Sequence, residues 1–211
     1  GHIVVDEAQE LSPMAWRALL RRCPSRSFTV VGDLDQRRGS KRPPTWEKAL
    51  GPAARALAAE YALTVSYRTP ATLTTLAEGV VARAGVPVLY PMTAVRDVDD
   101  CYRVTHVDAP EDAPASSKDN SPLWRAVAQA QREAEERLDR EAGTSRGRIA
   151  LIVGNERARA WGADVDGETA LSERVSLLSA VASKGLEFDS VILVEPAEIL
   201  SDGVGDLFVA L

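Results

Sequence analysis

The apolar run Ile3-Val4-Val5 is followed directly by Asp6-Glu7-Ala8-Gln9, and this stretch decides the fold class. The run is typical of a buried strand in a parallel sheet, and two carboxylates follow its carboxyl end. In P-loop enzymes an Asp at this place holds Mg²⁺, and a neighbouring carboxylate can accept a proton from the attacking water. Asp6 suits the first role and Glu7 the second. For an acidic pair that stands alone, an acidic turn without a chemical role is the alternative.

The same arrangement of strand and polar cluster occurs again after one predicted helix. A second apolar strand, Phe28-Thr29-Val30-Val31, ends in Gly32-Asp33-Leu34-Asp35-Gln36. The helix between them is expected to be capped by Ser12, to begin with Pro13 and to end before Pro24. Its apolar stripe has the i, i+3, i+4, i+7 spacing of a helix: Trp16, Leu19, Leu20 and Cys23. Because a strand-helix-strand unit normally makes parallel neighbours, polar side chains would converge at their carboxyl ends: Asp6, Glu7, Asp33 and Gln36.

Two later stretches also carry polar residues next to predicted strands. Residues 63–70 favour a strand that delivers Tyr67 and Arg68 to a loop. Thr69 is then expected to cap a helix that Pro70 opens and Gly85 ends. Far downstream, a predicted strand at residues 175–179 leads into Ser183-Lys184-Gly185-Leu186-Glu187-Phe188-Asp189, and residues 191–194 favour another buried strand.

Together these segments resemble the superfamily 1 helicases of the UvrD/Rep type, in the family's order and over most of the chain. Val4-Val5-Asp6-Glu7-Ala8-Gln9 is similar to that family's Mg²⁺-binding motif, and Val31-Gly32-Asp33-Leu34-Asp35-Gln36 to its coupling motif. Ser66-Tyr67-Arg68 is similar to the phosphate-sensing motif of the second domain, and Lys184-Gly185-Leu186-Glu187-Phe188 to the late ribose-contacting motif. The resemblance implies an α/β fold of the P-loop NTPase class, with RecA-like parallel sheets and helices on both faces, in a two-RecA-domain motor.

The resemblance also implies ATP and Mg²⁺ as cofactors, with a set of roles for the first polar clusters. Asp6 would hold Mg²⁺, and Glu7 would act as general base. Gln9 and Gln36 would detect the γ-phosphate and transmit its loss to the neighbouring domain. Asp33, in the coupling motif, is expected among the cofactor-binding residues.

The later motifs would contact the other parts of the nucleotide. Tyr67 would stack on the adenine, and Arg68 would reach the γ-phosphate, where a guanidinium can stabilise charge in the transition state. Glu187 would accept hydrogen bonds from the ribose hydroxyls, with Gly185 allowing a close backbone approach. Alternatives remain open, since Tyr67 can be a core aromatic, Arg68 a partner of a surface acid, and Glu187 a solvated side chain.

The sequence contains no G-x-x-x-x-G-K-[ST] phosphate-binding loop. The segment Gly39-Ser40-Lys41-Arg42 has the wrong spacing for one. The apolar run at residues 207–211 would continue, in the family, into a motif that carries a catalytic arginine. The chain is therefore expected to be a fragment that needs the N-terminal part of the first domain and is inactive alone. Residues 1–51 would complete that domain, and residues 52–211 would form most of the second.

Charge and aromatic content bear on the substrate of the predicted motor. The chain has a net charge of −6 and only 5% aromatic residues, whereas DNA-translocating enzymes hold phosphates with cations and stack bases on aromatics. One basic cluster follows the coupling motif: Arg37, Arg38, Lys41 and Arg42. UvrD-type helicases have an aromatic-rich, DNA-contacting segment at this place, and here only Trp46 is near. They also have a His where this chain has Val181.

In these departures from UvrD-type helicases the chain resembles the HelD/HelR branch. Members of that branch are helicase-like ATPases that release bacterial RNA polymerase from nucleic acid. The favoured function is therefore release or recycling of stalled RNA polymerase, with that polymerase as partner. The alternative is an ATP-dependent 3′-5′ DNA helicase of the UvrD/Rep type in repair or replication, with single-stranded DNA as partner. A nucleotide-binding scaffold that has lost its motor activity is a third interpretation, which the intact acids and Arg68 disfavour.

The remaining composition agrees with a globular ATPase segment. The chain is 45% hydrophobic and 27% charged over 211 residues, which suffices for one or two domains. No membrane partner and no signal peptide are expected. Cys23 and Cys101 do not have metal-ligand spacing, and their small number suits a reducing, cytoplasmic location. Residues 108–121 favour an exposed loop, and residues 124–141 a charged helix with a narrow apolar stripe against the second sheet.

Overall fold

The computed structural model describes residues 1–37, 42–86, 88–108, 121–163 and 173–211. They form two compact units, Gly1–Cys101 and Tyr102–Leu211. Both units are α/β, with short parallel sheets and helices. The units divide after Cys101, whereas the RecA-like domains predicted from the motifs divide at residue 51; that second division remains a prediction.

The first unit begins with the strand-helix-strand arrangement that the sequence predicts. Strands β1 (His2–Val5) and β2 (Ser27–Val30) are parallel neighbours, and helix α1 (Pro13–Arg22) connects them. The Ser12 hydroxyl accepts a hydrogen bond from the backbone N–H of Ala15 at 3.1 Å, so the predicted N-cap is confirmed. Trp16 is fully buried and packs with apolar residues of both strands and of the segment that follows β2: Ile3, Val5, Phe28, Val30, Trp46 and Leu50.

The rest of the first unit has little regular structure. Helix α2 (Trp46–Leu50) continues into a 3₁₀ helix (Gly51–Ala56) that packs against α1. Strand β3 (Val65–Ser66) is shorter than the sequence suggests and pairs in parallel with β4 (Thr93–Ala94). Helix α3 (Ala71–Arg83) connects them.

The predicted N-cap of α3 is wrong, because Pro70 and not Thr69 occupies the capping position. Pro70 has φ −60° and ψ 149°, which is extended backbone, so the helix begins one residue later than expected. A proline side chain has no hydrogen-bonding atom, and α3 accordingly has no side-chain cap. Gly85 follows the end of α3 with φ +80°, as expected for a residue that ends a helix.

The second unit is built around a three-stranded parallel sheet. Its elements in chain order are α4 (Pro122–Ala142), β5 (Ile149–Val153), α5 (Asn155–Trp161), β6 (Val175–Ser179), α6 (Ala180–Ser183), β7 (Ser190–Leu193), α7 (Pro196–Asp202) and α8 (Val204–Ala210). The strand order is β6-β5-β7. Every residue of the central strand β5 is buried, which explains its uninterrupted apolar sequence.

Helix α4 covers this sheet with the stripe that its sequence predicts. Val127, Ala134 and Leu138 are its buried residues, and the latter two pack against Ile149 of β5. Trp124 of α4 meets Trp161 of α5 edge to face, with ring centroids 5.0 Å apart. The loop expected at residues 108–121 lies almost wholly outside the described residues. Within the described ranges, no helix is both long and apolar enough to cross a membrane.

Candidate functional site

In the first unit, backbone hydrogen bonds join the segments that follow the carboxyl ends of β1 and β2. The N–H of Val31 donates to the carbonyl of Val5 at 2.8 Å, and the N–H of Ala8 donates to the carbonyl of Val31 at 3.1 Å. Each strand is then followed by one turn of 3₁₀ helix, Ala8–Glu10 and Leu34–Gln36 respectively. The two predicted polar clusters therefore lie side by side.

Gln9 is the residue that joins the two clusters. Its side chain is completely buried. Its amide Nε2 donates to the Glu7 carboxylate at 2.7 Å, and its Oε1 accepts from the backbone N–H of Asp33 at 3.1 Å. The Arg37 guanidinium also donates to the Gln9 carbonyl. Because both ends of a buried amide are bonded, the position of the Glu7 carboxylate is coupled to the turn after β2.

Asp33 organises the second cluster. Its Oδ1 accepts from the backbone N–H of Asp35 at 2.8 Å, and its Oδ2 accepts from the Gln36 amide at 3.1 Å. Asp33 is also the N-cap of the 3₁₀ turn Leu34–Gln36. The structure thus brings Glu7, Gln9, Asp33 and Gln36 into one chain of hydrogen bonds. The strand-end positions predict this convergence for Glu7, Asp33 and Gln36, whereas the predicted set contains Asp6 and does not contain Gln9.

Asp6 directly follows β1, and its side chain is exposed to solvent. Its Oδ1 accepts from the backbone N–H of Glu7 at 2.9 Å, and Glu7 itself adopts a left-handed conformation with φ 49°. Mg²⁺ is commonly held by one or two carboxylates, with phosphate and water oxygens completing the shell. An exposed Asp side chain fits that role. The described residues hold no group of three or more His, Cys, Asp and Glu that could bind a metal by themselves.

Gly32 is a site residue whose importance the sequence does not reveal. A β-carbon at this position would lie 2.3 Å from Gln9 Oε1, 2.8 Å from the Trp46 ring and 3.1 Å from the Ala8 nitrogen. Only a residue without a side chain allows Gln9 to reach the Asp33 N–H here. In the sequence, a glycine between a strand and an acidic cluster indicates a tight approach at this point. The side chain that makes glycine necessary is Trp46, fourteen positions downstream.

Asp35 is a buried residue that joins two other segments of the first unit, and the sequence does not indicate this role. It is only 8% exposed, pairs with Arg42, and accepts the Leu89 N–H at 3.0 Å. Two members of the basic cluster, Arg37 and Arg42, therefore make contacts inside the unit. The other two, Arg38 and Lys41, lie outside the described residues.

Tyr67 and Arg68 follow β3 and are both exposed. Tyr67 is 71% exposed, so it is not a core aromatic. The Arg68 carbonyl accepts a hydrogen bond from Arg96 at 3.0 Å, which holds the backbone at this position. The contacts with adenine and phosphate that the resemblance implies for these two residues remain predictions.

Gly185 and Glu187 lie in the second unit, in the exposed segment after α6. Lys184 has φ −61° and ψ 131°, Gly185 has φ +74°, and the Leu186 N–H donates to the Ser183 carbonyl at 3.1 Å. These values are typical of a type II turn, which favours glycine at its third position. The turn alone explains Gly185, and the ribose contacts predicted for both residues remain predictions.

No protein-family model matches the chain, and no curated protein is significantly similar to it.

Proposed function

We propose that this chain is part of an ATP-hydrolysing motor of the superfamily 1 helicase type, with a RecA-like fold. The observation that supports the proposal best is the buried Gln9 amide, which joins Glu7 after β1 to Asp33 after β2. A motor must couple the place where phosphate is cleaved to another element, and a doubly bonded amide between two strand ends provides such a coupling. Ligand sites of parallel α/β sheets also lie at this edge.

Glu7 is the general base in this proposal. A carboxylate accepts a proton from the attacking water only if it is held within hydrogen-bonding reach, and the 2.7 Å bond from Gln9 fixes one of its oxygens. Asp6 would hold Mg²⁺, which when bound supplies positive charge next to the phosphates. Gln36, whose amide donates to Asp33, would respond to the loss of the γ-phosphate after hydrolysis.

The other predicted residues would complete the nucleotide site. Tyr67 is exposed and available for stacking, and Arg68 would stabilise phosphate charge. Gly185 and Glu187 would contact the ribose. The phosphate-binding loop, which this sequence does not contain, would come from the rest of the protein.

For the substrate we propose bacterial RNA polymerase, which the motor would release or recycle in the cytoplasm. The net charge of −6, the low aromatic content and Val181 support this over DNA unwinding. The contact between Arg42 and Asp35 also supports it, because this cation is already paired within the unit.

The catalytic role is tested by Glu7→Gln in the full-length protein. Glutamine keeps an oxygen that can accept from Gln9 but cannot take a proton, so ATP binding should persist while turnover falls by about 10²-fold or more. Glu47→Gln is the matched control, because Glu47 is exposed on α2 and takes no part in the hydrogen bonds described for the strand ends. Steady-state ATPase assays and nucleotide titrations measure both effects. Near-normal turnover of the Glu7 variant would remove Glu7 from this role.

The substrate is tested by ATPase rates with and without single-stranded DNA over a salt series, beside a pull-down with core RNA polymerase. The proposal expects polymerase in the pull-down and weak stimulation by DNA. Strong stimulation that fades with salt, with no polymerase captured, would support the DNA helicase instead.

A further inference from the structure

A segment of uncharged, mostly apolar residues is exposed where the chain enters β3. It reads Tyr61-Ala62-Leu63-Thr64-Val65-Ser66-Tyr67 and contains no charged residue, no glycine and no proline. Its large side chains occur at every second position, which is the period of one face of a strand. All four are exposed to solvent, with exposed fractions of 87% at Tyr61, 88% at Leu63, 47% at Val65 and 71% at Tyr67. The described part of the first unit therefore leaves an apolar stripe uncovered.

Strand β3 uses only one of its two edges in the described part of the chain. The carbonyls of Thr64 and Ser66 accept hydrogen bonds from the N–H groups of Thr93 and Val95, at 2.7 Å and 2.9 Å. Because successive backbone groups of a strand point in opposite directions, those of Val65 face away from β4. The sheet has just two strands among the described residues, so the edge that carries the Val65 groups is unpaired there.

This edge lacks the usual protection against pairing with another chain. Natural edge strands normally carry charged residues or prolines that prevent such pairing. Residues 61–67 carry neither over seven positions. Uncharged segments of this length that are rich in β-branched and aromatic residues are typical of strands that pair with another chain. Another strand is therefore the occupant that fits this edge.

The edge segment, which we define as residues 60–68, is symmetric in chemical character about Thr64. When two copies of a strand pair antiparallel about a two-fold axis, each residue lies opposite the mirrored position of the other copy. An axis at Thr64 would set aliphatic, small, aromatic and oppositely charged residues against each other. From the axis outward, these pairs are Leu63 with Val65, Ala62 with Ser66, Tyr61 with Tyr67, and Glu60 with Arg68.

We propose that the edge segment pairs antiparallel with the same segment of a second copy of this chain, with the two-fold axis at Thr64. The backbone agrees with this register, because the groups of Val65 that face the unpaired edge would bond those of Leu63 in the second copy. Glu60 and Arg68 are both exposed and would form an ion pair at each end. Charge complementarity at both ends favours a second copy over an unrelated strand.

The Tyr90 hydroxyl already donates to Oε1 of Glu60, and a carboxylate has two oxygens, so this bond is compatible with the ion pair. Pairing would also cover Tyr67 and Arg68, to which the proposed function assigns contacts with nucleotide. The paired form and the nucleotide-bound form would then exclude each other. The pairing itself rests on exposure and on the symmetry of the segment, and it does not depend on ATP hydrolysis.

Sedimentation equilibrium of the 211-residue chain over a wide range of concentration, without nucleotide, tests the proposal. The wild type should show a reversible monomer–dimer equilibrium. Leu63→Lys removes two apolar cross-strand pairs per dimer and should raise the dissociation constant by about tenfold or more. Met14→Lys is the matched control, because Met14 is a large apolar residue that is 66% exposed on α1, outside the edge segment. Its dissociation constant should equal that of the wild type.

Charge reversal tests the register of the pairing. Glu60→Arg sets two guanidinium groups opposite each other at both ends, and Arg68→Glu sets two carboxylates there. Each single variant should raise the dissociation constant by about tenfold, because two favourable pairs become unfavourable. The double variant restores opposite charges and should dimerise as the wild type does.

Cross-linking under mild oxidation locates the axis. At the axis the Cα atoms of Thr64 in the two copies would lie about 4.5 Å apart, within the range of a disulfide, so Thr64→Cys should form a covalent dimer. The Cα atoms of Ala62 in the two copies would lie about 14 Å apart, so Ala62→Cys should not. The wild type controls for Cys23 and Cys101.

A chain that remains monomeric at every concentration overturns the proposal and indicates that something other than a second copy covers the stripe. A dimer that Met14→Lys weakens as much as Leu63→Lys does indicates diffuse apolar association instead. Failure of the double charge variant to restore the dimer, or cross-linking of Ala62→Cys as readily as Thr64→Cys, contradicts the register. None of these results depends on the proposed hydrolysis, because the assays contain no ATP.

Discussion

Replacing Gly32 by alanine should disrupt the centre of the candidate active site. The added carbon would lie 2.3 Å from Gln9 Oε1 and 2.8 Å from the Trp46 ring, and real β-carbons do not approach other atoms this closely. Neither neighbour can move freely, because Gln9 is fully buried and Trp46 packs into the core of the first unit. The side chain of Gln9 must therefore leave the Asp33 N–H.

The expected cost is the sum of two effects. Overpacking of a tight site costs about 1–3 kcal/mol. Loss of the partner of a buried polar group costs about 1–3 kcal/mol more. The two costs do not add fully, because a shift of Gln9 that relieves the overpacking is the same shift that breaks its hydrogen bond. We therefore expect the free energy of unfolding of the first unit to fall by about 2–4 kcal/mol. This is a large part of the stability of a small domain.

Urea unfolding monitored by circular dichroism measures this loss, and Gly79→Ala is the matched control. Gly79 lies exposed on helix α3, where a β-carbon would meet nothing within 4 Å. The same substitution there should stabilise the protein by about 0.5–1 kcal/mol, because alanine is the better helix former. A Gly32→Ala variant as stable as the wild type, or as little affected as Gly79→Ala, would refute the reasoning about Gly32.

Three further predictions concern single contacts elsewhere in the chain. Ser12→Ala removes the N-cap of α1 and should lower the free energy of unfolding by about 1 kcal/mol, whereas Ser12→Asp should retain it, as urea titration can check. Leu138→Ala should cost about 2–5 kcal/mol, because this side chain is 5% exposed in the core beneath α4; an effect below 1 kcal/mol would contradict that packing. The hydrogen bond to Glu60 raises the pKa of Tyr90 to about 12. Since this lies above the ordinary value of 10, the bond stabilises the fold below pH 10 and is lost as the pH rises through 12. Absorbance titration near 295 nm should show a late phenolate step that Tyr90→Phe removes, and an unchanged curve would contradict the contact.

The sequence predicts the order and pairing of the first strand-helix-strand unit well, because its signals are local, but the predicted burial of β1 is wrong, since Val4 is 66% exposed. Ser12 and Pro13 mark the start of α1, and the stripe of that helix places Trp16 in the core. The same holds for α4 and for the continuous apolar run of β5. Thr69 fails as a cap because the extended conformation continues through Pro70, and a threonine two positions before a helix is too far away to act there.

The candidate site is predictable only in part. Positions at strand ends suffice to place Glu7 and Asp33 together, since parallel pairing determines which ends meet. The requirement for glycine at position 32 depends on Trp46, and the burial of Asp35 depends on Leu89 and Arg42. These contacts join segments that are distant in sequence. The spacing of residues within one segment therefore does not predict them.

The Gln9 amide has a direction, and this direction determines which side chains the site can accept. Its NH₂ end faces a carboxylate and its oxygen faces an N–H. Turned end for end, the group would place oxygen against oxygen at Glu7 and hydrogen against hydrogen at Asp33. A glutamate at position 9 has nearly the same shape, but it would set a fully buried negative charge against the partly exposed carboxylate of Glu7. The site therefore distinguishes an amide from an acid by charge and by hydrogen-bond direction, and it couples the position of the Glu7 carboxylate to the turn after β2.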